Sequence, residues 1–169
     1  MTAAAPTLQV ENLRTVFDTR AGVLKAVDGV SFTVGKGEVL GLVGESGSGK
    51  SVTGFSIIGL VDPPGRIAGG KVLFKGEDLV GAPEERLRRL RGDRVAMIFQ
   101  DPMMTLNPVL RIDTQMVEAI QAHDPGVNRK AALARAREAL GRVGIPSPDE
   151  RLKSYPHQFS GGMRQRVAI

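Results

Sequence analysis

Gly44-Glu-Ser-Gly-Ser-Gly-Lys50-Ser51 fits the phosphate-loop pattern G-x-x-x-x-G-K-[ST] at every fixed position. Gly44, Gly47 and Gly49 carry no Cβ, so the backbone there can reach positive φ and turn its N–H groups, those of Glu45, Ser46 and Ser48 among them, inward around an anion. Lys50 adds a mobile positive charge that reaches β- and γ-phosphates. The Ser51 hydroxyl suits a hard Mg2+ ion, which prefers oxygen ligands. A chance match in a chain of this length is on the order of one in a hundred at average residue usage.

The flanks agree with the loop. Val39-Leu-Gly-Leu-Val43 is a short apolar run of the kind that forms a strand buried on both faces. After the loop, Val52, Phe55, Ile58 and Gly59 recur at helical spacing. The order is therefore strand, loop, helix, with the helix N-terminus at Ser51 and Val52 aimed at the phosphates.

Outward from this centre, Leu8–Leu13, Val30–Val34, Gly70–Lys75 and Val95–Phe99 read as further strands, separated by turn residues such as Asp28-Gly29 and Gly35-Lys36-Gly37. Beyond Gln100 the pattern becomes helical. Ile112, Met116 and Ile120 suggest one helix. Leu133, Ala136, Leu140 and Val143 form the apolar stripe of another, with Asn128 as N-cap and Gly144 and Pro146 as its stop. The expected layout is a nucleotide-binding α/β core with a β layer over residues 1–100 and a helical part over 101–169.

Composition narrows the class. The 169 residues are 41% hydrophobic and 24% charged, with no Cys, so disulfides and thiolate chemistry are excluded. No stretch approaches the ~18 apolar residues that cross a bilayer, and the start, Met-Thr-Ala-Ala-Ala-Pro, has no signal-peptide pattern. The net charge of +5 comes from Arg, but a nucleic-acid surface would want these interleaved with stacking aromatics, and there is one Tyr and no Trp. Arg86–Arg94 reads instead as a solvated helix face: Pro83 suits the first helical position, Glu84–Arg88 and Glu85–Arg89 are i,i+4 pairs, and Gly92 ends the helix.

A second motif lies far downstream. Ser160-Gly161-Gly162-Met163-Arg164-Gln165-Arg166 places a hydroxyl cap and two glycines at the start of another helix. Alone, Ser-Gly-Gly is ordinary turn chemistry. After a phosphate loop, in this order, it is specific.

From Leu8 to Ile169 the chain resembles the ATP-binding subunits of ABC transporters. Phe159-Ser-Gly-Gly-Met163 is similar to that family's signature L-S-G-G-Q, with Phe for Leu and Met for Gln. Gln100 matches its Q-loop glutamine, and Ala26–Phe32 and Gly37–Gly44 match its N-terminal pattern. Asp101-Pro-Met-Met-Thr-Leu-Asn107-Pro108 and Tyr155–Met163 look most like the dipeptide, oligopeptide and nickel importers.

The resemblance implies an ABC-type P-loop NTPase fold: a mostly parallel sheet core, an N-terminal antiparallel β layer and a helical subdomain. It implies ATP and Mg2+ as ligands, Mg2+ being met by Ser51 and Gln100, and hydrolysis of ATP with Lys50 and Gln100 as catalytic residues, Gln100 reaching toward the attacking water. It implies a head-to-tail dimer with a second ATPase subunit, in which Ser160, Gly161 and Gly162 contact the partner's γ-phosphate. Phe17 is the candidate for stacking on adenine, the alternative being a core residue beneath the β layer. The loop Asp101–Pro108 would meet transmembrane permease subunits, and an extracytoplasmic solute-binding protein would act indirectly. The subunit would lie on the cytoplasmic face of the membrane and energise import of peptides or a similar small solute.

His123 and His157 do not fall at the family's switch-histidine position, and His157 reads as part of the loop supporting the signature. The family's next elements, a strand ending in a Mg2+-ligand Asp, a catalytic Glu and the switch His, do not occur before Ile169. The chain is therefore expected to be incomplete at its C-terminus and to lack what turnover requires. The competing readings are a non-transport ABC ATPase acting on nucleic acid or ribosomes, and a nucleotide-binding piece without catalysis.

Overall fold

The computed structural model describes residues 5–99, 101 and 105–169, so Gln100 and residues 102–104 of the expected permease-facing loop lie outside the described residues. The chain divides into two compact units, Met1–Ala96 and Met97–Ile169, and each is treated by itself.

The first unit is built on a four-stranded antiparallel sheet, ordered β2-β1-β3-β4. Its strands are β1 (Leu8–Thr19), β2 (Gly22–Val34), β3 (Gly65–Phe74) and the short β4 (Glu77–Asp78). The first three run longer than the apolar patterns suggest. A β-bulge is the reason in β1: Asn12 sits at φ 47, a conformation Asn tolerates, and the register with both neighbours shifts there. The extra residue changes the inward parity from Val10 to Leu13 and Thr15, so simple alternation fails. Gly70 answers the bulge. At φ 89, a Cβ on it would lie 2.5 Å from the Asn12 and Glu11 carbonyl oxygens.

Val10, Leu13, Val27 and Val72 from the sheet form a core with Leu79, Leu87 and Leu90. Leu87 and Leu90 belong to α2 (Glu84–Leu90), whose apolar positions pack inward while its Arg residues stay outside. Pro83 caps this helix and does not begin it. Arg89 pairs with Glu85 at 2.8 Å as the i,i+4 spacing predicts, but Glu84 pairs with Arg91 at 2.6 Å and not with Arg88. Arg86 forks onto Glu77 of β4. That hydrogen bond, helped by the guanidinium charge, holds the Glu77 carboxyl below its ordinary pKa.

The expected parallel core is not formed among the described residues. Val39–Val43 enters no ladder, with Val39 95% and Val43 91% exposed. Val95–Phe99 contributes only an isolated parallel bridge from Val95 to Arg91. The physical reason is the lack of neighbours. An interior parallel strand needs ladder partners on both sides and cover on both faces, and the described residues supply neither. The sheet that does form is the antiparallel layer.

The second unit is helical: α3 (Ile112–His123), α4 (Arg129–Arg142), α5 (Pro148–Leu152), a 3-10 turn (Pro156–Gln158) and α6 (Gly161–Ala168). Asn128 caps α4 as expected, its side chain accepting from the Ala131 N–H at 2.9 Å. The buried stripe of α4 is Ala132, Ala136 and Leu140, while Leu133 and Val143 are only partly buried. Leu106, Ile112, Ala136, Leu140, Ile145, Leu152 and Phe159 complete this core. Among the described residues, no helix is long and apolar enough to cross a membrane.

Candidate phosphate site and signature turn

Residues 44–49 form a turn that leads directly into α1 (Lys50–Ile57). Gly47 and Gly49 both lie at positive φ, 81 and 89, where a side chain would be strained. Gly49 is also sterically obligatory: a Cβ there would sit 2.2 Å from the Ala26 carbonyl oxygen. Gly44 is not at positive φ. A Cβ on it would meet Ser48 Oγ at 2.6 Å, a clash that a turn of the serine could relieve.

Lys50 curls back over the loop. Its Nζ donates to the Gly44 and Glu45 carbonyls at 2.8 and 2.6 Å and to Ser48 Oγ at 3.3 Å. The amine is therefore held at the mouth of the loop. No side chain caps α1, so the N–H groups of its first turn, Lys50, Ser51 and Val52, have no partner within the helix. Their partial positive charge adds to that of the amine. Ser46 and Ser51 are exposed, and Val52 is half-buried against the sheet core.

These residues fit an anion with several oxygens. They also fit a divalent cation, provided the anion supplies most of its ligands. Among the described residues, no group of three or more His, Cys, Asp or Glu could hold a metal ion. Ser51 on the exposed first turn offers one hydroxyl oxygen, the donor type that Mg2+ takes.

Tertiary bonds that sequence reasoning missed hold α1 in place. Thr15 and Ser56, both buried, share a 2.7 Å hydroxyl bond. Ser56 Oγ donates to the Val52 carbonyl at 2.7 Å, so Thr15 is the donor between the two hydroxyls. At the other end, Arg91 donates from Nε to Ile58 O at 2.8 Å and from Nη2 to Gly59 O at 2.6 Å. A run of arginines carries no sequence signal for such a role.

Phe17 lies in β1, between Leu24 of β2 and Gly65 of β3. It is half-buried, and a Cβ on Gly65 would come within 2.6 Å of its ring. The ring thus lies across the glycine, with part of its surface open.

In the second unit Ser160 caps α6, its Oγ accepting from the Met163 N–H at 3.3 Å. Gly161 and Gly162 are exposed, and a Cβ on either would meet nothing within 4 Å. Their smallness thus serves no internal packing. Phe159, directly before, is buried, with the Arg151 guanidinium over its ring at 5.7 Å. The Leu-to-Phe departure from the family signature is accommodated as a core anchor. Tyr155 and His157 stack at 5.6 Å in the preceding turn. Arg166 of α6 donates to the Val143 and Gly144 carbonyls at 3.2 and 2.6 Å, capping the end of α4. Gln115 fixes the end of the Asp101–Pro108 loop, its amide donating to the Asn107 and Leu110 carbonyls at 2.9 Å.

Residues 27–169 match the family described as ABC transporter. The dipeptide transport ATP-binding protein DppD of Bacillus subtilis is 50% identical over 96% of the chain, and its Escherichia coli namesake 49% over 96%. The oligopeptide transport ATP-binding protein OppD of B. subtilis is 47% identical over 96%. The chain covers 48%, 49% and 45% of these three relatives respectively, so it spans about half the length of the curated relatives it matches. A solved dimeric structure of MJ0796, a bacterial ABC transporter cassette, matches at TM-score 0.81 and 26% identity, over 96% of this chain and 67% of that one. The same cassette in a post-hydrolysis state bound to ADP and Pi matches at 0.76.

Proposed function

Because the chain belongs to the ABC transporter family, we propose that it binds Mg-ATP at Gly44–Val52 as part of an ATPase subunit that energises peptide import. The observation that carries this reading is the loop itself, with two glycines at positive φ, Lys50 Nζ at its mouth and an uncapped helix start behind it. Lys50 neutralises charge on the β- and γ-phosphates, and the first-turn N–H groups hold the same oxygens. Ser51 and Gln100 would hold Mg2+, which when bound would supply further charge neutralisation. Phe17 offers the open face of its ring to the adenine.

Ser160, Gly161 and Gly162 serve a second ATPase subunit. The hydroxyl of Ser160, and the exposed backbone of Gly161 and Gly162 with no side chains, suit close approach to the γ-phosphate that the partner holds. The loop Asp101–Pro108 docks on permease subunits, which in turn receive solute from an extracytoplasmic binding protein. The protein then works on the cytoplasmic face of the membrane. Relatives named for dipeptide and oligopeptide transport support peptides or a similar small solute. The exposed run Val39–Val43 supports further parallel strands, supplied by cassette residues beyond those described.

The test is reconstitution of the intact protein with its permease subunits in vesicles. The expected result is peptide uptake that requires ATP, together with ATPase activity that rises when permease and peptide are present. ATPase activity indifferent to permease but stimulated by ribosomes or RNA would refute the transport reading.

A further inference from the structure

Helix α1 has only eight residues and no side-chain cap at its start. A helix this short does not hold its own axis. The aim of the Lys50, Ser51 and Val52 N–H groups must therefore be set by tertiary contacts. At the loop end, Gly49 abuts the Ala26 carbonyl. In the middle, Ser56 meets Thr15. The far end is held by Arg91, with 22% of its side chain exposed.

Arg91 uses its guanidinium in three directions. Nε holds Ile58 O and Nη2 holds Gly59 O, the carbonyls that follow the last turn of α1, while Nη1 holds Glu84 of α2 at 2.6 Å. A cation complements the negative end of a helix dipole, and only a planar fork reaches two carbonyls and a carboxylate together. Arg91 is further tied down by its bridge to Val95 and by the Gly92 N–H bond to Val95 O at 2.9 Å.

We propose that Arg91 is a positioning residue for the phosphate loop: by fixing the C-terminal carbonyls of α1 against α2, it sets the angle at which α1 presents its N-terminus to the nucleotide. Arg91 acts from the opposite end of the helix, about 12 Å from the loop, and does not touch the phosphates. The inference rests on the reading of Gly44–Val52 as a nucleotide site.

The experiment compares intact wild type, Arg91→Gln, Arg91→Lys and Glu84→Gln by Mg-ATP titration, by steady-state kinetics and by melting without nucleotide. Both Arg91 variants should bind Mg-ATP about tenfold more weakly, with KM raised and kcat at saturation little changed. Lys should rescue no better than Gln, because fork geometry matters and not charge alone. Glu84→Gln removes only the outer anchor and should stay within about twofold. Should Arg91→Gln fail to fold, Arg91→Lys carries the test. An unchanged Kd and KM in a folded Arg91 variant, with only the melting temperature lowered, would overturn the inference while leaving the nucleotide site intact. Wild type that fails to bind Mg-ATP would overturn both.

Discussion

Lys50→Ala in the intact protein is expected to abolish most of the stabilisation that Mg-ATP gives the wild type. Ligand at ~100 times its Kd stabilises a one-site protein by about 2.7 kcal/mol, and the substitution removes the side-chain cation held at the loop mouth. It also removes the amine that bridges Gly44 O, Glu45 O and Ser48 Oγ, so the loop loses an internal tie. The two effects separate in one melting experiment. Loss of the tie lowers the melting temperature without nucleotide, whereas loss of the phosphate contact shrinks the shift that nucleotide produces. An ATP-induced shift equal in wild type and variant would refute the role given to Lys50.

Ser160→Arg is expected to leave ATP binding to the protein's own loop intact while ATP-driven dimerisation and turnover collapse. The Ser160 cap is long at 3.3 Å, so its loss costs stability at the lower part of the usual ~0.5–2 kcal/mol for a cap. The larger effect is steric. Gly161 and Gly162 leave this surface open, and an arginine placed there fills the space that a partner's γ-phosphate would need. A melting curve controls for folding. Dimerisation and turnover near wild type in a well-folded variant would mean that Ser160 is only a helix cap.

The parts legible in the sequence are those governed by local chemistry. Gly47 and Gly49 announce positive φ, Asn128 announces the start of α4, and the apolar spacing from Ile112 announces α3. What depends on distant partners was not legible. The apolar run Val39–Val43 reads as a buried strand, yet a strand exists only if neighbours do, and none pairs with it among the described residues. The bulge at Asn12 is accommodated across the sheet by Gly70, where a Cβ would meet the Asn12 and Glu11 carbonyls. The buried face of α4 runs through Ala132, Ala136 and Leu140, a rotation of the stripe that the spacing of Leu133 and Val143 does not announce. Arg91 looks like its exposed neighbours in sequence, and only the fold brings Ile58 and Gly59 to it.

The central claim is that Gly44–Val52 cradles the phosphates of ATP and that Ser160–Gly162 serves the nucleotide of a facing subunit. A structure of the intact protein with Mg2+ and a non-hydrolysable ATP analogue tests it most directly. The account predicts phosphate oxygens within hydrogen-bond reach of Lys50 Nζ and of the N–H groups from Gly47 to Val52, with the Ser160 turn against the γ-phosphate held by the other subunit. Phosphates bound away from this loop, or a Ser160 turn facing solvent in the closed assembly, would contradict it.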